Sequence, residues 1–199
     1  MIEVEIKVAI SNPKLILTKV KELNGKYIMS LNHEDTYYNM PNGLRNFKET
    51  DEALRIRKVI EFNKYKADKS YLIKGYITYK GQKIDQTTKT REEIEIEIDD
   101  FKSMKSMLLH LGFKEIITVK KERELYEFWF KNNKIELLLD FLPLLNQNFI
   151  ETEIIINDKK NINKTKEIMF DFLKLFGVTE KESIRESYLE LITKKLHIL

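Results

Sequence analysis

Apolar and polar positions alternate with a period of two over much of this chain. Segments 2–9, 54–60, 72–80, 91–98, 117–130, 135–141 and 150–156 carry the pattern. They are rich in Ile, Val, Leu, Phe and Tyr, which predicts strands. Four segments have helical spacing instead. Ser11, Asn12 and Pro13 announce a helix from Lys14 to Leu23 that stops at Gly25; proline at a first helical position gives up only an N–H that would lack a partner anyway. Asp99 and Asp100 open a second helix, whose apolar residues Phe101, Met104, Leu108 and Leu111 stop at Gly112. A third spans about 162–176, before Gly177. Thr179, with Glu182 three residues on, has the pattern of a capping box and predicts that the last helix begins there, carrying Ile184, Tyr188, Leu191 and Ile192. Region 36–52, with Asn39, Pro41, Asn42 and Gly43, reads as a loop. The class is α+β, dominated by an antiparallel sheet.

Parity sorts the strand residues, because neighbours along a strand point to opposite faces. Glu3, Glu5 and Lys7 oppose Ile2, Val4, Ile6 and Val8; Arg55 and Arg57 oppose Leu54 and Ile56. Lys74, Tyr76, Thr78 and Lys80 line one side. Arg91, Glu93, Glu95 and Glu97 oppose Ile94, Ile96 and Ile98. Lys121 shares parity with Arg123, Glu136 with Asp140, and Glu151 with Glu153. One ionic strand face is ordinarily the solvated side of a half-buried sheet. Here nearly every strand has such a face, and few helices are on hand to cover a flat sheet. The pattern therefore predicts a closed antiparallel β-barrel, ionic residues inward and helices packed outside, with room for side chains and one small ligand.

Composition sharpens this reading. The 199 residues are 42% apolar, enough for a core and against disorder. There is no cysteine, which excludes disulfides and thiolate chemistry. Lys and Arg number 35 against 32 Asp and Glu, a net charge of +3, so no global field selects nucleic acid. The charged start Met1-Ile-Glu-Val-Glu-Ile-Lys7 is unlike a signal peptide, and no apolar run suits a bilayer; a cytoplasmic protein without membrane association is expected.

Enclosing so many charges costs more than their pairing returns unless water, metal or ligand completes them. Carboxylates in E-x-E pairs suit a hard cation such as Mg²⁺ or Mn²⁺. Clustered Arg and Lys suit phosphate oxygens. A metal-bound polyanion satisfies both sets, and a nucleoside or inorganic triphosphate fits best.

The same residues resemble the CYTH superfamily, the triphosphate tunnel metalloenzymes. An E-x-E-x-K signature stands at Glu3-Val-Glu-Ile-Lys7. In order there follow Asn32-His-Glu-Asp-Thr-Tyr-Tyr38, Ala53-Leu-Arg-Ile-Arg57, Thr78-Tyr-Lys-Gly81, Arg91-Glu-Glu93, Leu111-Gly-Phe113, Lys121-Glu-Arg123, Asp140, Glu151-Thr-Glu153 and Ser187-Tyr-Leu-Glu-Leu191. The match covers the whole chain, implying one CYTH domain over 1–199 that forms an eight-stranded tunnel. By resemblance, Glu3, Glu5 and Glu153 are the principal metal ligands, with Asp140 and Glu151 beside them. Lys7, Arg55, Arg57, Lys80, Lys121 and Arg123 form the phosphate-binding set, with Lys74, Arg91, Glu93 and Glu95 as further tunnel candidates. Glu3, Glu5, Lys7, Arg57, Lys80 and Arg123 are the residues on which turnover is expected to depend. One departure stands out: the stretch Leu145-Asn-Gln-Asn-Phe149 is a residue longer than the family's Leu-Gly-x-Phe step and lacks its glycine.

The resemblance implies an Mg²⁺- or Mn²⁺-dependent enzyme acting on ATP or another triphosphate. The run Asn32 to Asp35 and the chain's size lean toward a class IV adenylate cyclase, which makes cyclic AMP and pyrophosphate. A triphosphatase hydrolysing inorganic, thiamine or nucleoside triphosphate uses the same residues. A non-catalytic polyphosphate or RNA-end binding module is the third reading, although no stable nucleic-acid partner is expected. A homodimer is compatible with all three. Other chemistry finds no footing. His33, His110 and His197 lack metal-ligand spacing, the six glycines form no P-loop, and Ser103, Ser106 and Ser187 have no nucleophile context. Trp129 reads as a core or interface residue, and Lys58 to Lys69 as a solvated hairpin tip.

Overall fold

The computed structural model describes residues 2–68 and 70–197. Eight antiparallel strands close into a barrel: β1 (Ile2–Ile10), β2 (Lys26–Asn39), β3 (Ala53–Phe62), β4 (Tyr71–Lys80), β5 (Arg91–Ile98), β6 (Lys114–Phe130), β7 (Asn133–Leu142) and β8 (Gln147–Ile156). Their order around the wall is β1-β5-β4-β3-β2-β6-β7-β8, with β8 returning to β1. Four helices follow the chain: α1 (Pro13–Glu22), α2 (Phe101–His110), α3 (Ile162–Lys174) and α4 (Tyr188–Leu196).

The closure is uneven. β1 pairs with β8 all along Ile2 to Ile10, but with β5 only at Ile2–Glu92 and Glu3–Arg91. Beyond those pairs the irregular segment 81–90 takes over the seam, and the Lys89 N–H donates to the Glu5 carbonyl at 3.0 Å.

Outward apolar residues of β1, β6, β7 and β8 form the main core against Ile16 and Val20 of α1 and Met169, Phe172 and Leu173 of α3. Gly25 sits where α1 hands over to β2; a Cβ there would lie 2.3 Å from the Phe128 ring. α2 covers the outer side of β2 and β3 around Tyr38, Ile56 and Leu108. α4 packs Tyr188 and Ile192 against Leu142 and Phe149 at one end of the barrel. The helices do not clothe the whole exterior, since Ile73, Ile94 and Ile96 on β4 and β5 stay exposed.

Three expectations need correction. The segment 36–52 is not all loop: β2 runs through Asn39, and this fourteen-residue strand is missing from the alternating segments. The last helix begins at Tyr188. The Thr179–Glu182 capping box exists, but closes only a single 3₁₀ turn at Glu180–Glu182. The chain then runs extended because tertiary bonds hold it: the Ile184 N–H donates to the Lys7 carbonyl at 2.8 Å, and Arg185 Nε to the Asp85 carbonyl at 2.9 Å. A second box, Ser187 with Glu190, starts α4. The glycine missing before β8 is replaced by Asn146 at φ 51, a left-handed position asparagine tolerates. Trp129 is not core; it stands 75% exposed near the end of β6. The lysine-rich tip lies between β3 and β4, and its Lys69 is outside the described residues.

Candidate functional site

The barrel axis holds a cavity of about 1040 Å³. Most of its carboxylates come from β1, β5 and β8. β3 and β6 contribute cations, and Lys80 of β4, Lys89 of segment 81–90 and Arg91 of β5 are placed among the acids.

On the acidic side, oxygens of Glu3, Glu5 and Glu153 all lie within 4.8 Å of one another. β1 and β8 are paired in register Glu5–Glu153, which is what brings the amino-terminal E-x-E to the later one. Burial, then the neighbouring Glu151, raises the Glu5 carboxyl to about 8. Burial and Glu3 hold Glu153 well above the usual carboxylate range. With Glu5 and Glu153 both resisting ionisation, the three glutamates form an all-oxygen donor set that fits a hard divalent ion.

Asp140 and Glu151 are both bonded to cations. Arg123 donates from Nε and Nη2 to the two Asp140 oxygens, both at 2.6 Å, and its Nη2 also bonds Glu151. Asp140 is fully buried and also accepts from the Tyr188 hydroxyl at 2.8 Å. It is thus tied to Arg123 and apart from the three-glutamate group. Burial opposes the charge on Glu151, but Lys89 and Arg123 outweigh it and keep that carboxyl well below its ordinary range.

The cationic side is held by a carboxylate absent from the expected site. Asp35, on β2, accepts from Arg57 Nε at 2.6 Å and Nη2 at 2.7 Å, and from Arg55 Nη1 at 3.5 Å. Burial works against its ionisation, yet the two guanidinium groups hold it well below the normal carboxylate range. Arg55 reaches across to Glu95 at 3.4 Å and to the Thr78 hydroxyl at 3.2 Å. Lys80 pairs with Glu93, and Arg91 donates to the Gly81 carbonyl at 3.3 Å. Lys74 stands apart from this group, pairing with Glu61 at 3.1 Å.

Three lysines converge on the ring of Tyr188: Lys7 Nζ at 4.4 Å from the centroid, Lys121 at 5.2 Å and Lys89 at 5.5 Å. Burial first, then a neighbouring cation (Lys89 for Lys7, Arg123 for Lys121), brings both Lys7 and Lys121 down to about 7. His33 is buried with its Nδ1 unpartnered, and burial and Arg57 hold it well below its ordinary pKa.

Asp35, Lys89 and Tyr188 were not among the expected site residues. Asp35 belongs to the unassigned strand β2, so parity could not place it. Lys89 had a usable signal, since it shares parity with Arg91 and Glu93, one step before the strand begins. Tyr188 reaches the lumen from α4, which no strand periodicity reports.

The chain matches the CYTH domain over residues 1–188. It belongs to the CYTH family. A Methanocaldococcus jannaschii CYTH relative, provisionally named an adenylate cyclase, is 41% identical over 192 residues, 96% of this chain and 98% of that one. A solved protein of Pyrococcus horikoshii is 36% identical with a TM-score of 0.82, covering 97% and 99% of the two chains. A Hippeastrum protein shares the CYTH barrel at 18% identity and TM-score 0.63 over 97% and 96%; it is provisionally named an adenylyl cyclase and described as having a dominant triphosphatase activity. CYTH enzymes act on triphosphates with divalent metal. No helix among the described residues is long and apolar enough to cross a membrane.

Proposed function

We propose that this protein binds a triphosphate along the barrel axis and, as a class IV-type adenylate cyclase, converts ATP to cyclic AMP and pyrophosphate. The observation that carries the reading is a three-carboxylate cluster facing a cationic wall inside one closed lumen. Glu3, Glu5 and Glu153 would hold Mg²⁺ or Mn²⁺, which supplies charge neutralisation and orientation of phosphate oxygens. Arg55, Arg57, Lys80, Lys121 and Arg123 would bind the remaining oxygens, already aimed by Asp35, Glu93 and Asp140.

In the cyclase reaction the ribose 3′-oxygen attacks the α-phosphorus, the bond to the β-phosphate oxygen breaks, and pyrophosphate leaves. The hydroxyl proton needs an acceptor, and Lys121, which lines the lumen, is poised to exchange one near neutrality. The cavity continues past the charges onto Tyr37, Asn39, Phe47, Ile116 and Leu189, which supports room for a nucleoside. The 41% identical relative's name supports the same choice.

The second reading is hydrolysis of the terminal phosphate by water. The charged set serves it equally, and the Hippeastrum protein shows the barrel in a protein described by that activity. Incubation with Mn²⁺ and ATP, thiamine triphosphate or tripolyphosphate, followed by product analysis, separates the two. Cyclic AMP with pyrophosphate is expected; orthophosphate alone establishes the hydrolase, and binding without turnover leaves a polyphosphate or RNA-end receptor. Glu5→Gln should abolish metal-dependent turnover with the fold intact. Arg57→Ala should raise KM by roughly tenfold, through loss of a charge-assisted contact of about 1.5 kcal/mol.

A further inference from the structure

Lys89 holds a position that the triphosphate-tunnel reading leaves without a task. It belongs to segment 81–90 between β4 and β5, which has no strand pairing, yet the segment is firmly fastened. The Lys83 ammonium bonds Asp51 at 2.7 Å and both Glu190 oxygens at 3.0 Å. Asp85 accepts from the Thr87 and Thr88 N–H groups, each at 2.8 Å, and from Lys166 at 3.1 Å. The Ser183 hydroxyl donates to the Thr87 carbonyl at 2.7 Å. With the backbone fixed, the Lys89 side chain enters the lumen, where Nζ bonds Glu5 and lies 2.9 Å from Glu151.

Glu5 thus has two claims upon it. It belongs to the three-carboxylate cluster suited to a divalent ion, and it is in contact with a buried ammonium. A dication on Glu5 would face that ammonium at close range in a poorly screened interior, with a repulsion doubled by its second charge. Both cannot keep Glu5. Lys89 has a flexible four-carbon stem, so its head can leave while its backbone stays. The anion brought by the metal is the triphosphate.

We propose that Lys89 is a substrate-binding residue that exchanges partners: it bonds Glu5 in the metal-free tunnel and moves to a phosphate oxygen once the divalent ion takes the carboxylate cluster. This rests on the tunnel reading above. Metal and triphosphate binding are thereby coupled, because the ion frees a cation that the triphosphate then uses.

The test is titration calorimetry with Mn²⁺ alone, and with tripolyphosphate at saturating Mn²⁺, on wild type, Lys89→Met, Lys89→Gln and Lys89→Arg. Loss of the ammonium should tighten Mn²⁺ and weaken tripolyphosphate, each by about tenfold, while Lys89→Arg restores tripolyphosphate binding toward wild type. Opposed shifts are not expected of a merely structural lysine. Thermal unfolding of the metal-free variants identifies any that fail to fold; Lys89→Gln, which retains a hydrogen-bond donor, answers if Lys89→Met does not. Affinities that stay unchanged or fall together overturn the proposal while leaving the tunnel reading intact. A wild type that binds neither Mn²⁺ nor tripolyphosphate overturns both.

Discussion

In the proposed metal-ligand role, Glu153 would serve binding at the expense of stability. Burial and Glu3 hold its folded pKa well above 4.5. A raised carboxyl contributes its stability below the unfolded pKa and loses it as pH rises toward the folded one, so at pH 8 the metal-free protein carries a penalty that it lacks below pH 4.5. Glu153→Gln should therefore raise the melting temperature of metal-free protein at pH 8, by about 2–4 °C for each ~1 kcal/mol relieved. The same variant should lose most of the Mn²⁺-induced rise. A lower metal-free melting temperature would show that Glu153 is already satisfied. Arg123 is the opposite case, because its removal takes the only paired cation from buried Asp140 among the described residues and one of two from Glu151. Arg123→Leu should cost about 3–5 kcal/mol in urea unfolding, whereas Tyr188→Phe, losing one hydrogen bond to Asp140, should cost about 1 kcal/mol.

Among the elements, legibility followed the chemistry of the two faces. β1, β5 and β8 alternate cleanly because one side meets charge and the other meets apolar residues, a helix or solvent. β2 does not alternate. Its inward residues His33, Asp35 and Tyr37 are polar or amphipathic, and outward Thr36 meets the Thr118 hydroxyl at 2.9 Å and Lys105 at 2.6 Å. A strand polar on both sides has no hydrophobic period to read. The early carboxylates and the arginine pairs were legible by parity alone. The partners that orient them, Asp35 and Tyr188, were not, since one lies on that strand and the other on a helix. The two capping boxes were equally valid locally, and only the bonds to Lys7 and Asp85 decide between them. Ser187→Ala should thus cost about 1 kcal/mol of α4 stability, read as faster amide exchange confined to α4. Thr179→Ala should leave α4 exchange unchanged.

For the whole molecule, the enclosed charges set the pH response. Between pH 4.5 and 8 the raised carboxyls of Glu5 and Glu153 withdraw stability, only partly offset below 6.5 by neutral His33. Lys7 and Lys121, lowered to about 7, act oppositely: the unfolded chain binds their protons up to 10.5, so stability climbs from about 7 to 10.5. Metal-free protein at constant ionic strength should show a melting-temperature minimum near pH 7–8, filled in by Mn²⁺ with tripolyphosphate. A flat or steadily falling profile would mean that water already solvates the lumen charges. The pairing of β1 with β8 has a further consequence during biosynthesis. Residues 2–10 must wait for residues 148–156 before their longest partner exists, so a ribosome-borne chain carries Glu3 and Glu5 apart from Glu153 until β8 has emerged. Termination anywhere ahead of β8 should yield polypeptide unable to capture Mn²⁺, since Glu153 would be missing from the three-glutamate cluster.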